Sequence, residues 1–279
     1  MKTYGKLISG DELKRLELDI LLDVAAFCDR EGLAYSLCAG TLLGAIRHQG
    51  FIPWDDDIDI MMPRADFERF LKTYRTDKPY KAVSSDTEAD FPFPYAVVND
   101  TRTIKVELKL RDCCTQTLGV NVDVFPLDPV PGDLEEAKDF YGRIHRRWRF
   151  LESVVKCFGK GKSALSTLYR NVFILFCRVL EGVGLTSVRK AVRASAKIAR
   201  TYEGTKQGRI GVTSIYHYDV RESHPAAVYE GRRNVCFEGY TFKGLLHAEE
   251  YLAGMYGDFM KLPPVEKRVT HHTSDCYWR

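Results

Sequence analysis

Residues 37–62 read Leu37-Cys-Ala-Gly40-Thr-Leu-Leu-Gly-Ala-Ile-Arg47-His-Gln-Gly50-Phe-Ile-Pro-Trp54-Asp-Asp-Asp-Ile-Asp59-Ile-Met-Met62. Four aspartates fall within five positions, Asp55, Asp56, Asp57 and Asp59, and they run directly into Ile58, Ile60, Met61 and Met62, the composition of a buried strand. Strand side chains alternate between faces. A strand that includes position 55 therefore projects Asp55, Asp57 and Asp59 from one face and Asp56, Ile58 and Ile60 from the other. Three carboxylates in one row repel each other and lose hydration, at a cost on the order of several kcal/mol unless a cation neutralises them. A hard divalent ion is the natural partner: one or two Mg²⁺, which commonly link carboxylates to substrate phosphates, or Mn²⁺ on the same oxygen ligands. The competing reading is a solvated acidic turn after Pro53. Against it, the acidic residues lead into apolar strand, and Gly40 to Gly50 is a glycine-punctuated turn into a helix, a phosphate-binding geometry.

Composition adds few constraints. At 279 residues, 45% hydrophobic and 28% charged, the chain has the make-up of an ordinary globular protein of one large or two small domains. A net charge of +3 implies no partner by itself. Met1 to Gly10 lacks an apolar core of signal-peptide length, so a cytoplasmic enzyme with reduced thiols is expected. Cys28, Cys38, Cys157 and Cys177 sit among apolar residues, where a thiol acts as a small hydrophobe, and no paired zinc knuckles occur.

Working outward, Ser9-Gly-Asp-Glu12 has capping-box spacing and opens an amphipathic helix over 11–31, with Gly32 as its stop. A short strand is expected over 33–39, a turn at Gly40-Thr41, a short helix over 42–48 and a strand over 57–62. Arg64 onward forms a helix with Phe67, Phe70, Leu71 and Tyr74 as its buried stripe. Strands are expected at 95–98 and 103–110, and a cleaner one at 120–125 ending at Pro126. That last strand places Asp123 among valines, either as a hydrogen-bonded structural aspartate or as a further ligand of the metal site. Three helices follow, over 133–158, 163–181 and 186–203. Between Lys138 and Arg209 there are 17 Lys or Arg against four Asp or Glu. This is either a solvated basic face or a surface for anionic ligands or lipid headgroups, and no nucleic-acid-binding motif accompanies it. Asn171 to Cys177 is apolar but far short of a membrane span, which suits a buried or interfacial helix. Extended segments over 209–217 and 235–242, broken at Gly239, lead to a closing helix over 247–256.

A Gly-Thr turn, a short helix, an Asp-x-Asp strand and a later aspartate on another strand make the arrangement of the nucleotidyltransferase fold. Gly40 and Thr41 would meet a phosphate at a helix N-terminus. Arg47 would either clamp phosphate or form a buried salt bridge with an aspartate.

The blocks Gly40-Thr-Leu-Leu-Gly-Ala-Ile-Arg-His48 and Gly50-Phe-Ile-Pro-Trp-Asp-Asp-Asp-Ile-Asp-Ile60 closely resemble the LicD family of phosphocholine transferases, a group that also includes fukutin-type proteins. The resemblance continues in Arg64 to Phe70, Val122 to Asp128, Phe237 to Phe242, and Tyr256 to Met260 with Leu262-Pro-Pro264. It implies an α+β, nucleotidyltransferase-like mixed sheet flanked by helices, with a mostly helical basic insertion. The expected division is a catalytic core over 1–132, a basic helical subdomain over 133–205 and a C-terminal segment over 206–279 packing back on the core.

The implied reaction is Mg²⁺-dependent transfer of phosphocholine, or a related alcohol phosphate, from CDP-choline or another CDP-alcohol. The acceptor would be a hydroxyl of a cell-surface glycan or lipid-linked glycan, and CMP would leave. The alternative is a nucleotidyltransferase that attaches an NMP from an NTP. By resemblance, Asp55, Asp57, Asp59 and Asp123 bind metal, with Asp57, Asp59, Asp123 and Arg47 catalytic. Gly40, Thr41, Arg47 and Trp54 are expected to contact the donor. Trp54, Tyr95, Phe125, Tyr216 and Tyr256 are candidates for a cage around a choline headgroup, or ordinary core. Lys243 to His247 replaces the proline-led segment of many relatives and is expected over the donor site. His271, His272 and Cys276 lack a fourth ligand at fixed spacing and read as a surface tail. The setting implied is the cytoplasm, with peripheral contact at the inner face of an anionic membrane.

Overall fold

The computed structural model describes residues 4–107, 109–160, 163–215, 219–269 and 274–279; Tyr216, His271 and His272 lie outside the described residues. The first half comprises α1 (Gly10–Glu31), β1 (Ser36–Leu37), α2 (Ala39–His48), β2 (Ile58–Pro63), α3 (Arg64–Thr73), β3 (Tyr80–Val83), β4 (Ala96–Asp100), β5 (Thr103–Glu107), the one-turn α4 (Asp112–Thr115) and β6 (Asn121–Val130). Three helices follow, α5 (Leu134–Val155), α6 (Ala164–Gly182) and α7 (Val188–Ala199). The chain closes with β7 (Arg209–Val212), β8 (Ser223–Pro225), β9 (Arg232–Phe237), β10 (Tyr240–Leu245), α8 (Ala248–Tyr256) and β11 (Ser274–Trp278).

Seven strands form one mixed sheet in the order β1-β2-β6-β4-β3, with β7 and β8 continuing from the far half of β6. β2 and β6 pair in parallel, and the other pairings in this sheet are antiparallel. The class is α+β. β6 runs through Pro126 to Val130, four residues past the expected end. Its antiparallel partner is β4 up to Val124 and β7 from Leu127. Pro126 falls between the two, where no antiparallel neighbour asks for its missing N–H.

α1 begins with Ser9 as its N-cap, its hydroxyl accepting from the Glu12 N–H at 3.3 Å, and it stops at Gly32 in the left-handed conformation (φ +62°). Its buried stripe, Leu16, Ile20, Val24 and Phe27, covers the sheet face built from Ile58, Ile60, Val122, Val124 and Val98. The opposite face carries Asp59, Asp123, Val97 and Val83 in one row across four strands. Val83, Val97 and Val130 share a second core there with Phe140, Ile144, Leu151 and Val192, so the helical segment after position 133 packs directly on the sheet. A buried fork locks the sheet to α3: Arg64 donates to both Asp128 oxygens at 2.7 and 2.6 Å, and Thr213 donates to one of them at 2.7 Å.

Several sequence expectations shift. The strand over 33–39 shrinks to two residues, and Cys157 is exposed rather than packed among apolar residues. The segment over 235–242 is a hairpin, turning at Glu238 and Gly239 with φ +51° and +79°, the left-handed pair of a tight two-residue turn. The Glu238 carboxylate accepts from the Phe51 N–H at 2.9 Å, and the Glu238 N–H donates to the Gln49 carbonyl at 2.9 Å. The hairpin tip thus holds the turn that leads from α2 to the aspartates. No helix among the described residues is long and apolar enough to cross a membrane.

Candidate active site

A cavity of about 1020 Å³ opens on the aspartate row. Its wall includes Gly40, Arg47, Trp54, Asp55, Asp57, Asp59 and Asp123, so seven of the eight expected site residues meet there. The strand begins only at Ile58, which leaves Asp55, Asp56 and Asp57 on the preceding turn rather than on a pleat. Asp55, Asp57 and Asp59 still line the cavity, while Asp56 does not.

Thr41 is the exception. α2 starts at Ala39, earlier than the periodicity suggested, which draws Gly40 and Thr41 into its first turn. Thr41 is buried, and its hydroxyl accepts from the Asp59 N–H at 2.8 Å. It holds the backbone of the central aspartate instead of facing a phosphate. Gly40 is required by proximity, since a Cβ there would lie 2.6 Å from the Asp55 carboxylate. Gly44 is required in the same way, because a Cβ would lie 2.4 Å from the Gly50 carbonyl oxygen.

Asp59 and Asp123 are register partners on adjacent parallel strands, so their side chains leave the same face about 4.8 Å apart. Burial, then the neighbouring Asp57, Asp123 and Asp55, push the Asp59 carboxyl well above its ordinary pKa. A wall in that condition must take up a proton or a cation. Behind it, the Asn121 side-chain N–H₂ donates to Asp123 at 2.5 Å, and Lys105 donates to Asn121 at 3.4 Å. Burial, then Asp123 and Asp59, together with a hydrogen bond to Asp123, raise the Tyr95 hydroxyl well above its usual value. Desolvation alone would lower Lys105, but Asp123, Cys276, Glu17 and Asp57 more than offset it, so the half-buried ammonium stays charged. Glu17, from the inner face of α1, is raised well above its ordinary value by burial. Neither Lys105 nor Glu17 was singled out from the sequence. The available signal was a charged residue at an inward position, one turn from Leu13 in the case of Glu17.

The opposite wall comes from the last residue of α8, Tyr256, and the segment after it, including Asp258, Phe259, Lys261 and Lys267. Arg47 donates to the Phe259 carbonyl at 2.6 Å, which ties that segment to α2. Arg268 stacks over Trp54, 5.6 Å from the ring centroid. Tyr95, Phe125 and Tyr256 line the cavity with Trp54. Lys243 to His247 does not lie over it. The Lys243 N–H reaches the Tyr35 hydroxyl at 3.3 Å, and Gly244 packs beside Leu42 and Val235. Cys276 is buried in β11.

A smaller cavity of about 310 Å³ shares Asp57, Tyr95, Asp123 and Ile215 with the first. Lys105, Glu107, Trp148, Glu152 and Lys156 line its far side.

Among the described residues no three His, Cys, Asp or Glu side chains converge into a ready-made ion cage. Mg²⁺ asks for less, namely one or two carboxylates, with substrate phosphates and water completing its octahedron. An all-oxygen wall whose central carboxyl is held high by its neighbours fits that use. Asp55, Asp57, Asp59 and Asp123 are the residues that would hold the ion.

A family model described as LicD/FKTN/FKRP, nucleotidyltransferase domain, matches residues 32–160. The chain is 28% identical over 272 residues to the lipopolysaccharide cholinephosphotransferase LicD of Haemophilus influenzae, covering 93% of this chain and 94% of that one. Shorter matches are to uncharacterised proteins of Rickettsia typhi (38% over 68 residues, 23% of this chain and 22% of that one) and Rickettsia prowazekii (43% over 53 residues, 19% and 20%).

Proposed function

Because the chain belongs to the LicD family, through the domain over residues 32–160, we propose that it is a CDP-alcohol phosphotransferase. It moves phosphocholine, or the phosphate of a related small alcohol, to a hydroxyl of a cell-surface glycan precursor such as a lipopolysaccharide intermediate, and releases CMP. The observation that carries this reading is the carboxylate wall shared by two cavities of unequal size. The larger has room for a CDP-alcohol. Arg47, Lys261 and Lys267 face its phosphates, and Trp54, Tyr95, Phe125 and Tyr256 supply rings for a quaternary ammonium. The smaller admits the acceptor from the other side of Asp57 and Asp123, the relation that in-line displacement needs.

In this scheme the acceptor hydroxyl oxygen bonds to the phosphorus bearing the alcohol, and the bond from that phosphorus to the bridging oxygen of CMP breaks. Asp123, fixed by Asn121 and Tyr95, accepts the hydroxyl proton. Mg²⁺, when bound, neutralises charge on the phosphate oxygens and on departing CMP. Thr41 keeps Asp59 in place from below. The reaction is placed in the cytoplasm, with peripheral contact at the membrane that carries lipid-linked precursors.

Incubating the protein with Mg²⁺, crude glycan acceptor and each of CDP-choline, CDP-ribitol, CDP-glycerol and CDP-ethanolamine, while following CMP, tests the proposal. One donor should stand out. No CMP from any of the four, with pyrophosphate released from an NTP instead, would replace it with nucleotidyl transfer.

A further inference from the structure

α6 is packed the wrong way round for a helix in water. Of its 19 residues only Ile174 and Cys177 are buried, and its inward seam is largely polar. On that seam Arg178 donates to the Lys156 carbonyl at 2.8 Å and also to the Val154 carbonyl. Glu181 pairs with Arg111 at 3.0 Å, and Asn171 accepts from the Gly159 N–H at 3.2 Å. Apart from Ile174, Cys177 and Phe173, which pack inward, the larger apolar side chains point the other way. Leu165, Leu168, Val172, Leu175, Phe176 and Val179 recur at helical spacing and are between 51 and 77% exposed. Phe158 before the helix and Val183 and Leu185 after it are also exposed. A continuous apolar face of this length exceeds what soluble monomers normally leave in water.

Charge selects the occupant. Between Phe158 and Lys190 the sequence has six Lys or Arg against a single acid, Glu181, which is already engaged with Arg111. Arg178 and Arg170 turn towards the protein, which leaves Lys160 and Lys162 before the helix in sequence and Arg189 and Lys190 after it. Cations at both ends of an apolar face match an anionic headgroup layer. A second copy docked face to face about a two-fold axis would bring those cationic ends together and repel. We propose that the outer face of α6 is a membrane-docking surface that lies in the headgroup region of an anionic bilayer. Nineteen residues at about 1.5 Å each give a helix about 28 Å long, enough to lie in the plane.

The docking stands on the helix alone. Its link to catalysis rests on the function proposed above: α6 packs against α5, and α5 supplies Trp148 and Glu152 to the smaller cavity, with Lys156 just past its end. A lipid-linked acceptor held at the membrane is thereby one helix from the carboxylate wall.

Sedimentation of the full chain with phosphatidylcholine vesicles, with and without phosphatidylglycerol, tests the surface. The wild type should pellet with the anionic vesicles. A variant carrying Leu168→Ser, Val172→Ser, Leu175→Ser and Val179→Ser should partition at least about tenfold less, with unchanged thermal unfolding. Separately, Leu175→Trp should add a fluorescence component that shifts to shorter wavelength when those vesicles are added. Equal pelleting of the serine variant and the wild type would overturn the proposal. So would a wild-type dimer that the four serines break while vesicles bind neither protein, which would make a second copy the occupant. Neither readout uses turnover, so a failure of the phosphotransferase reading leaves the docking result intact.

Discussion

The carboxylate wall and the outer face of α6 invert the usual order of a folded protein in opposite directions. At the wall, the half-buried Asp57, Asp59 and Asp123, with Lys105 and the fully buried Glu17 nearby, crowd ionisable groups together, and Asp59 and Glu17 are pushed well above their ordinary range. On α6, leucines and valines face water while arginine and glutamate turn inward. Both arrangements cost stability in the isolated protein; under the proposals above, a cation with phosphates would relieve the first and a lipid layer the second. Departures of this kind from the usual burial rules are where ligand contacts are expected.

The contrast can be broken most severely at the wall. Asp59→Asn and Asp57→Asn should each lower CMP release by at least about 10³-fold, while Asp59→Asn leaves thermal stability unchanged or higher, because a repelled buried carboxyl is removed. Activity within tenfold of wild type would take the wall out of the chemistry. Asp128→Ala probes a buried charge that is fully satisfied and should behave oppositely. Leaving Arg64 and Thr213 without their acceptor should cost about 3–5 kcal/mol in denaturant unfolding.

Glu222 offers a milder version of the wall's strain away from the cavity. Burial pushes it up to about 8, so the folded state binds its proton more tightly than the unfolded chain does. Stability from this group is complete below the ordinary carboxylate value and falls as pH rises from about 4.5 towards 8, by about 1.4 kcal/mol per unit. Glu222→Gln should flatten that slope and raise thermal stability at pH 8, which a melting series against pH would read. The smallest effect is expected at the cavity rim: Lys261→Ala should raise the donor KM about fivefold with little change in kcat, as loss of one solvent-screened phosphate contact would.

Much of the wall was legible because its signal is local. Four aspartates running into an apolar strand, and a fifth among valines, carry their chemistry in adjacent letters. Capping and glycine signals placed α1 nearly to the residue. Tertiary partners were harder to read. The role of Thr41 depends on a backbone N–H 18 residues away, and the cations of the opposite wall, Lys261 and Lys267, lie in a segment with no periodicity to fix where it folds back. The segment expected over the donor, Lys243 to His247, instead finishes a hairpin whose tip supports the aspartate loop from outside. The apolar run Asn171 to Cys177 was visible and suited a buried or an interfacial helix, but composition alone does not choose between them. Which face turns inward was set by Arg178 and Glu181 finding partners on neighbouring segments.

Phosphorus NMR of a reaction containing the protein, CDP-choline, glycan acceptor and Mg²⁺ addresses the central claim most directly. The expected result is that CMP and a new glycan-linked phosphodiester grow together in equal amounts, stop when the divalent ion is chelated, and are absent with Asp57→Asn. Product formation that survives both chelation and Asp57→Asn would contradict the assignment of the aspartate row as the metal-binding half of the site.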